Sequence, residues 1–270
     1  MTDMTDMTDR NDRNDRTDMT DMNDSPNPTT STSSWFHVAD SSAPLRLGEV
    51  RPLDPQEARH AVGARRLRDG DSIALFDGRG NVATARLMQR GEGAAIEAVH
   101  HQPPPTPRVV VASAIPKGDR ASTLIDMATQ LGMAAFVPLR CARSVVEMTD
   151  ASRTRLERIA IESCKQSRRA WVPPVLDELS PVDAVRFALA AESAAILLDP
   201  AGPPLRTLAS ELSRARIALL IGPEGGFTDD ERTAMIAAGA VTASIGDGIL
   251  RIEAAAVVGL ALVRSCSSAP

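Results

Sequence analysis

Beyond residue 108, short apolar runs alternate with stretches of mixed polarity. The runs are Val109 to Ala114, Ala134 to Leu139, Ala194 to Asp199, Ile217 to Ile221 and Val241 to Ile245. Runs of this length with no polar alternation read as strands buried on both faces. Between them the spacing becomes helical. Leu124, Met127, Ala128 and Leu131 share one face of a helix over 120–131 that Gly132 can end, and Leu156, Ile159, Ala160 and Cys164 share one face of a helix over 152–169. A further helical stretch lies near Leu205 to Arg214, and an almost wholly apolar helix covers Ala254 to Val263. Strands alternating with helices predict an α/β fold with a mainly parallel sheet covered on both faces.

The first half differs. Ser72 to Phe76 and Val82 to Met88 are joined through Asp77-Gly78-Arg79-Gly80-Asn81, a hairpin connection, and Ala94 to Val99 reads as a third strand. A short helix fits Pro55 to Leu67, so residues 35–102 form a small β-rich unit. Pro103-Pro104-Pro105-Thr106-Pro107 separates it from residues 108–270 as a stiff spacer. Residues 1–34 repeat Met-Thr-Asp and Asn-Asp-Arg triplets and then turn Ser/Thr/Pro-rich, a composition expected to stay disordered.

Candidate chemistry concentrates in two glycine turns. The first, Ile221-Gly222-Pro223-Glu224-Gly225-Gly226, follows an apolar strand and precedes a helix whose Thr228 and Glu231 have capping-box spacing. Glu224, Asp229 and Asp230 would repel a phosphate, so a neutral or cationic ligand fits better. The second turn, Gly246-Asp247-Gly248-Ile249-Leu250-Arg251-Ile252-Glu253, leads into the apolar last helix.

In that order and spacing the two turns resemble the bacterial 16S ribosomal RNA (uracil-N3)-methyltransferases of the SPOUT superfamily. The resemblance covers about residues 35 to 265 and includes Lys117-Gly118-Asp119, Pro138 with Arg143, Gln166 to Arg169, and the Gly70-Asp71 and Phe76-Asp77-Gly78 run. It implies a C-terminal SPOUT domain with a trefoil knot, a PUA-like β-barrel before it, and a homodimer. The implied methyl donor, S-adenosylmethionine, would be held by three loops: Leu198, Asp199 and Pro200; Ile221 to Gly226; and Ile245 and Gly246 with Ile249, Leu250 and Arg251. The implied partner is 16S ribosomal RNA within the small ribosomal subunit. The family usually carries Thr where this chain has Ile252 and Ala254, and Glu where Ser122, Ala142 and Lys165 stand.

Removing the N3 proton of uridine spreads negative charge over the flanking carbonyl oxygens. A cationic neighbour stabilises that charge and a carboxylate or water takes the proton, roles that fit Arg251 and Glu253 respectively. RNA contact is expected from Arg59, His60 and Arg66, with Arg65 and Arg68 beside them, and from Arg155, Arg158, Lys165 and Arg169 stacked around Glu162. Lys117, Arg120, Arg143 and Gln166 complete the set.

The formal charge of −5 sits in the tail, where eight Asp face three Arg, and the remaining 27 basic and 27 acidic residues balance. A neutral body must therefore use local basic patches on RNA. Five Phe, two Trp and no Tyr leave few stacking platforms, so recognition should run through shape and phosphates. Three scattered Cys, and His100 and His101 on opposite faces of one strand, argue against a metal site. With no membrane-length apolar run and no secretory leader, a soluble cytoplasmic protein is expected. A non-catalytic RNA-binding or assembly protein on the same fold, and ribose 2′-O methylation, stay open as alternatives.

Overall fold

A computed structural model describes residues 33–38 and 44–267. The expectation of a disordered tail falls, apart from Ser33 and Ser34, outside these residues.

The first unit comprises β1 (Ser34–His37), β2 (Val50–Pro52), α1 (Pro55–Arg59), β3 (Ser72–Phe76), β4 (Asn81–Met88) and β5 (Gly93–His101). Asp54 starts α1 by accepting from the Gln56 amide, Pro55 suits the first turn, and a π turn carries the helix on to Ala64. The strands form one mixed sheet, β1-β3-β4-β5-β2, with β1 parallel to β3 and the other pairs antiparallel. Phe36, Ile73, Leu75, Leu87 and Ile96 are buried in its core. Among the described residues β1 and β2 do not pair with each other, so the expected barrel is an open one. The β3–β4 turn is built by Asp77, whose Oδ1 accepts from the amides of Arg79 (2.7 Å) and Asn81 (3.1 Å). Gly78 (φ 73°) and Gly80 (φ 99°) supply the left-handed backbone it needs.

The second unit runs β6 (Arg108–Ser113), α2 (Arg120–Gln130), β7 (Ala135–Pro138), α3 (Asp150–Ser167), α4 (Pro181–Ala190), β8 (Ala194–Leu198), α5 (Ala209–Leu212), β9 (Arg216–Ile221), α6 (Asp229–Ala237), β10 (Val241–Ala243) and α7 (Ile252–Ser267). Its sheet, β10-β8-β9-β6-β7, is wholly parallel, so the loops after β8, β9 and β10 leave from the same edge. The chain after β8 locks over the end of β10. Asp199 N donates to Ala243 O (2.8 Å), Ser244 N to Pro203 O (2.7 Å) and Leu205 N to Ser244 O (2.8 Å). A Cβ on Gly202 would stand 2.8 Å from the Ala243 backbone, so only glycine lets the two segments pack this closely.

Three expectations change. Helix α4 was not foreseen, although Ser180 caps it and Pro181 opens it. The stretch 205–214 is broken into a 3₁₀ turn over Leu205–Thr207 and the single turn α5. Met127 is 43% exposed, while Ile125 and Thr129 are buried with Leu124 and Ala128. Helix α2 is gripped by both α3 and α7, which rotates its covered stripe away from Met127.

The two units share a third apolar cluster. Trp35, Ala74, Phe76 and Val82 of the first meet Cys164 and Ala170 of the second, with Trp171 and Val172 packed against them. Trp171 Nε1 donates to Gln102 O (2.8 Å), Val172 N to Gly78 O (3.0 Å), and Lys165 Nζ bonds both oxygens of Glu57 (2.9 and 3.0 Å).

Candidate active site

At the carboxyl edge of the parallel sheet the three loops enclose a cleft of about 300 Å³. Every residue of those loops expected to hold the donor lines it except Arg251. The distant stretches 198–200, 221–226 and 245–250 thus meet in one place, as a parallel sheet requires when consecutive loops leave the same ends of its strands.

Each wall has a local cause. Strand β9 ends at Ile221, a Cβ on the following Gly222 would lie 3.0 Å from the Phe227 ring, and Gly226 turns with φ 70°. The foreseen capping box then opens α6: Glu231 N donates to Thr228 Oγ1 (3.1 Å) and Thr228 N to Glu231 Oε2 (2.8 Å). The other Glu231 oxygen accepts from Ala142 N (2.7 Å), Arg143 Nη1 donates to Gly225 O (2.6 Å), and Arg120 Nη2 bonds Glu224 Oε1 (3.0 Å). The first residue of α2 and the loop after β7 therefore brace the first glycine turn from outside. Asp199 accepts from Ala201 N (2.9 Å) and pairs with Arg232 of α6.

Phe227, Arg232, Gly248, Ile252 and Ala255 also line the cleft and were not anticipated. Gly248 and Ile252 lay within the quoted second turn. Arg232 and Ala255 face the cleft only through the folding of α6 and α7, which no local pattern announces. Arg251 is exposed beside the cleft, between the lining residues Leu250 and Ile252. Glu253 is half-buried in the first turn of α7, and its Oε2 is buried without a hydrogen-bond partner.

The residues expected to touch RNA divide into groups. Arg59, Arg66, Lys117, Arg158 and Gln166 are exposed, and His60 is half-buried. Arg155 is exposed but paired with Asp119 (2.9 Å), and Arg120 and Arg143 are engaged with the glycine turn. The structure uses Lys165 and Arg169 differently from the phosphate contacts expected of them. The Lys165 side chain is 10% exposed between Glu57 and Glu162, because α3 turns that face toward the first unit. Arg169 Nε donates to Gln130 O (2.6 Å), covering the end of α2. Burial holds the Arg169 guanidinium below its ordinary pKa.

Burial also pushes the thiols of Cys141 and Cys164 up to about 12, so neither offers a thiolate for covalent chemistry. Among the described residues no group of three His, Cys, Asp or Glu side chains is placed to hold a metal ion. No helix there is long and apolar enough to cross a membrane.

An open β unit joined to a parallel α/β unit, with a cleft of glycine turns at the sheet's carboxyl edge, is the architecture of a two-unit α/β protein that binds a small ligand. The sequence family described as RNA methyltransferase domain matches residues 102–264, and the RNA methyltransferase PUA domain matches residues 53–96. The ribosomal RNA small subunit methyltransferase E of Mycobacterium tuberculosis is 34% identical over 231 residues, covering 82% of this chain and 88% of that protein. Its Synechocystis counterpart is 35% identical over 205 residues, covering 74% and 68%. A crystal structure of the Neisseria gonorrhoeae enzyme of the same name, described as bound to S-adenosyl methionine, superposes with a TM-score of 0.78 at 26% identity, covering 86% of this chain and 97% of that one. This chain belongs to the ribosomal RNA small subunit methyltransferase E family.

Proposed function

We propose that the chain transfers a methyl group from S-adenosylmethionine to N3 of a uridine in the 16S ribosomal RNA of the small subunit, in the cytoplasm. The observation that carries this reading is the convergence of three separate loops on one cleft at the sheet's carboxyl edge. The lining suits the donor. A Cβ on Gly226, Gly246 or Gly248 would meet no protein atom within 4 Å, so bare backbone is left for a ligand, and the carboxylates of Asp199 and Glu224 suit a cation. When bound, the donor supplies an electrophilic methyl group on a positive sulfonium.

The chain's own residues hold and activate the base. Arg251 stabilises the charge that spreads over the uracil oxygens as N3 loses its proton, and Glu253, with its unpartnered oxygen, accepts that proton. The exposed cations Arg59, Arg66, Lys117 and Arg158 contact phosphates, so RNA affinity falls with salt. The working division is residues 35–102 for RNA holding, 103–107 as connector and 108–270 for transfer.

The second copy in a homodimer covers α7, whose Ala254, Val257, Val258 and Leu262 are only half-buried in one chain. Light scattering at micromolar concentration should return twice the chain mass, and a monomer contradicts the dimer.

Mass spectrometry of ribosomal RNA from a deletion strain, with and without the restored gene, tests the function. Loss and recovery of 3-methyluridine in 16S RNA is expected. A missing ribose methyl group points to 2′-O transfer instead, and an unchanged methylation pattern points to a non-catalytic role.

A further inference from the structure

Three charged side chains line the cleft: Asp199, Glu224 and Arg232. Glu224 is engaged by Arg120, which stands outside the lining. Among the described residues Arg232 is thus the cleft's one lining cation, and its guanidinium is incompletely used. Nη1 pairs with Asp199 Oδ2, while Nε is buried and has no hydrogen-bond partner. The Arg232 side chain is 37% exposed and lines the cleft, so the pair with Asp199 leaves part of the guanidinium uncovered. An unpaired buried donor costs free energy, which a ligand oxygen would return. With Nη1 taken, Nε and Nη2 form the side-on fork that matches a carboxylate in two parallel hydrogen bonds.

Asp199 serves this geometry rather than competing with it. Its side chain is 11% exposed, and its Oδ1 accepts from Ala201 N (2.9 Å), so the carboxylate is fixed by its own loop and in turn fixes the guanidinium. It also balances the charge of Arg232, keeping the cleft hospitable to a sulfonium.

We infer that Arg232 receives the α-carboxylate of the methyl donor, held for that task by Asp199. This rests on the reading of the cleft as the donor site, because the donor carries one carboxylate and no other anionic group. Arg232 thereby becomes a specificity residue. It selects nucleosides that bear the amino-acid tail over those that lack it, and it anchors the tail against α6.

Calorimetry on the full chain tests this with two stable probes: S-adenosylhomocysteine, which has the carboxylate, and 5′-methylthioadenosine, which shares the nucleoside but has no amino-acid tail. The wild-type chain should prefer S-adenosylhomocysteine. Arg232→Met should weaken that probe by about tenfold or more while leaving methylthioadenosine within about twofold, the retained nucleoside affinity also reporting an intact fold. If both probes weaken together in Arg232→Met, or neither does, Arg232 does not bind the tail and the inference fails while the donor site stands. If the wild-type chain binds neither probe, the donor reading fails and takes the inference with it.

Discussion

Arg251 is exposed at the mouth of the cleft, and its side chain makes no hydrogen bond or ion pair among the described residues. Such a guanidinium is available to substrate without first breaking an internal contact. Arg251→Ala should therefore abolish methyl transfer while calorimetry shows donor affinity within a few fold of wild type, and normal turnover would remove Arg251 from the reaction. Ile252, where the family usually has Thr, is 3% exposed and lines the cleft, so apolar packing occupies a position where a hydroxyl was expected. The cysteines separate by burial: Cys141 and Cys164 are buried with thiols pushed up to about 12, and Cys266 is exposed. An aromatic disulfide reagent at pH 8 should label one thiol per native chain and all three after unfolding in denaturant. Rapid labelling of a second thiol in the native chain would contradict the buried assignments.

The elements that build the site differ in what they tolerate. Helix α6 carries its start signal in its own sequence, since Thr228 and Glu231 cap it reciprocally. The loop after β8 depends instead on a neighbour that arrives more than forty residues later, β10, against whose backbone Gly202 is pressed. Gly202→Ala should cost about 1–3 kcal/mol in denaturant unfolding, because the added methyl meets main chain that cannot move aside. Gly248→Ala gives the opposite profile. Its Cβ would meet no protein atom within 4 Å, and the residue lines the cleft, so melting should change little while donor affinity falls. Equal stability losses in the two variants would overturn this distinction between a packing glycine and a ligand-facing one.

The two units are joined as one body by the cluster around Trp35, Phe76, Cys164 and Ala170 and by Lys165 bound to Glu57. Both ends of that ion pair are largely buried, at 10% and 13% side-chain exposure, so removing one partner strands the other. Lys165→Met should lower unfolding stability by roughly 3 kcal/mol or more, measured in urea. A neutral result would mean that Glu57 swings out to solvent. The join also fixes the exposed Arg59 of α1 relative to the cleft.

Apolar runs, glycine turns and caps are local signals. From them the parallel α/β unit, the β-rich unit before it, the start of α6 and the two glycine turns were legible, because backbone geometry and burial on both faces constrain which residues each element accepts, whereas the loop of Leu198 to Pro200 followed only from the family resemblance. Helix α4 carries the same kind of signal in Ser180 and Pro181, though the prolines around it mask the helical period. Other features had no local signature. Whether Lys165 reaches phosphate or Glu57, whether Met127 or Ile125 is covered, and that Arg232 faces Asp199 are settled by which surfaces come together from far apart in the chain. A charged or apolar side chain fits several environments equally well, and only the packed tertiary neighbours select one of them.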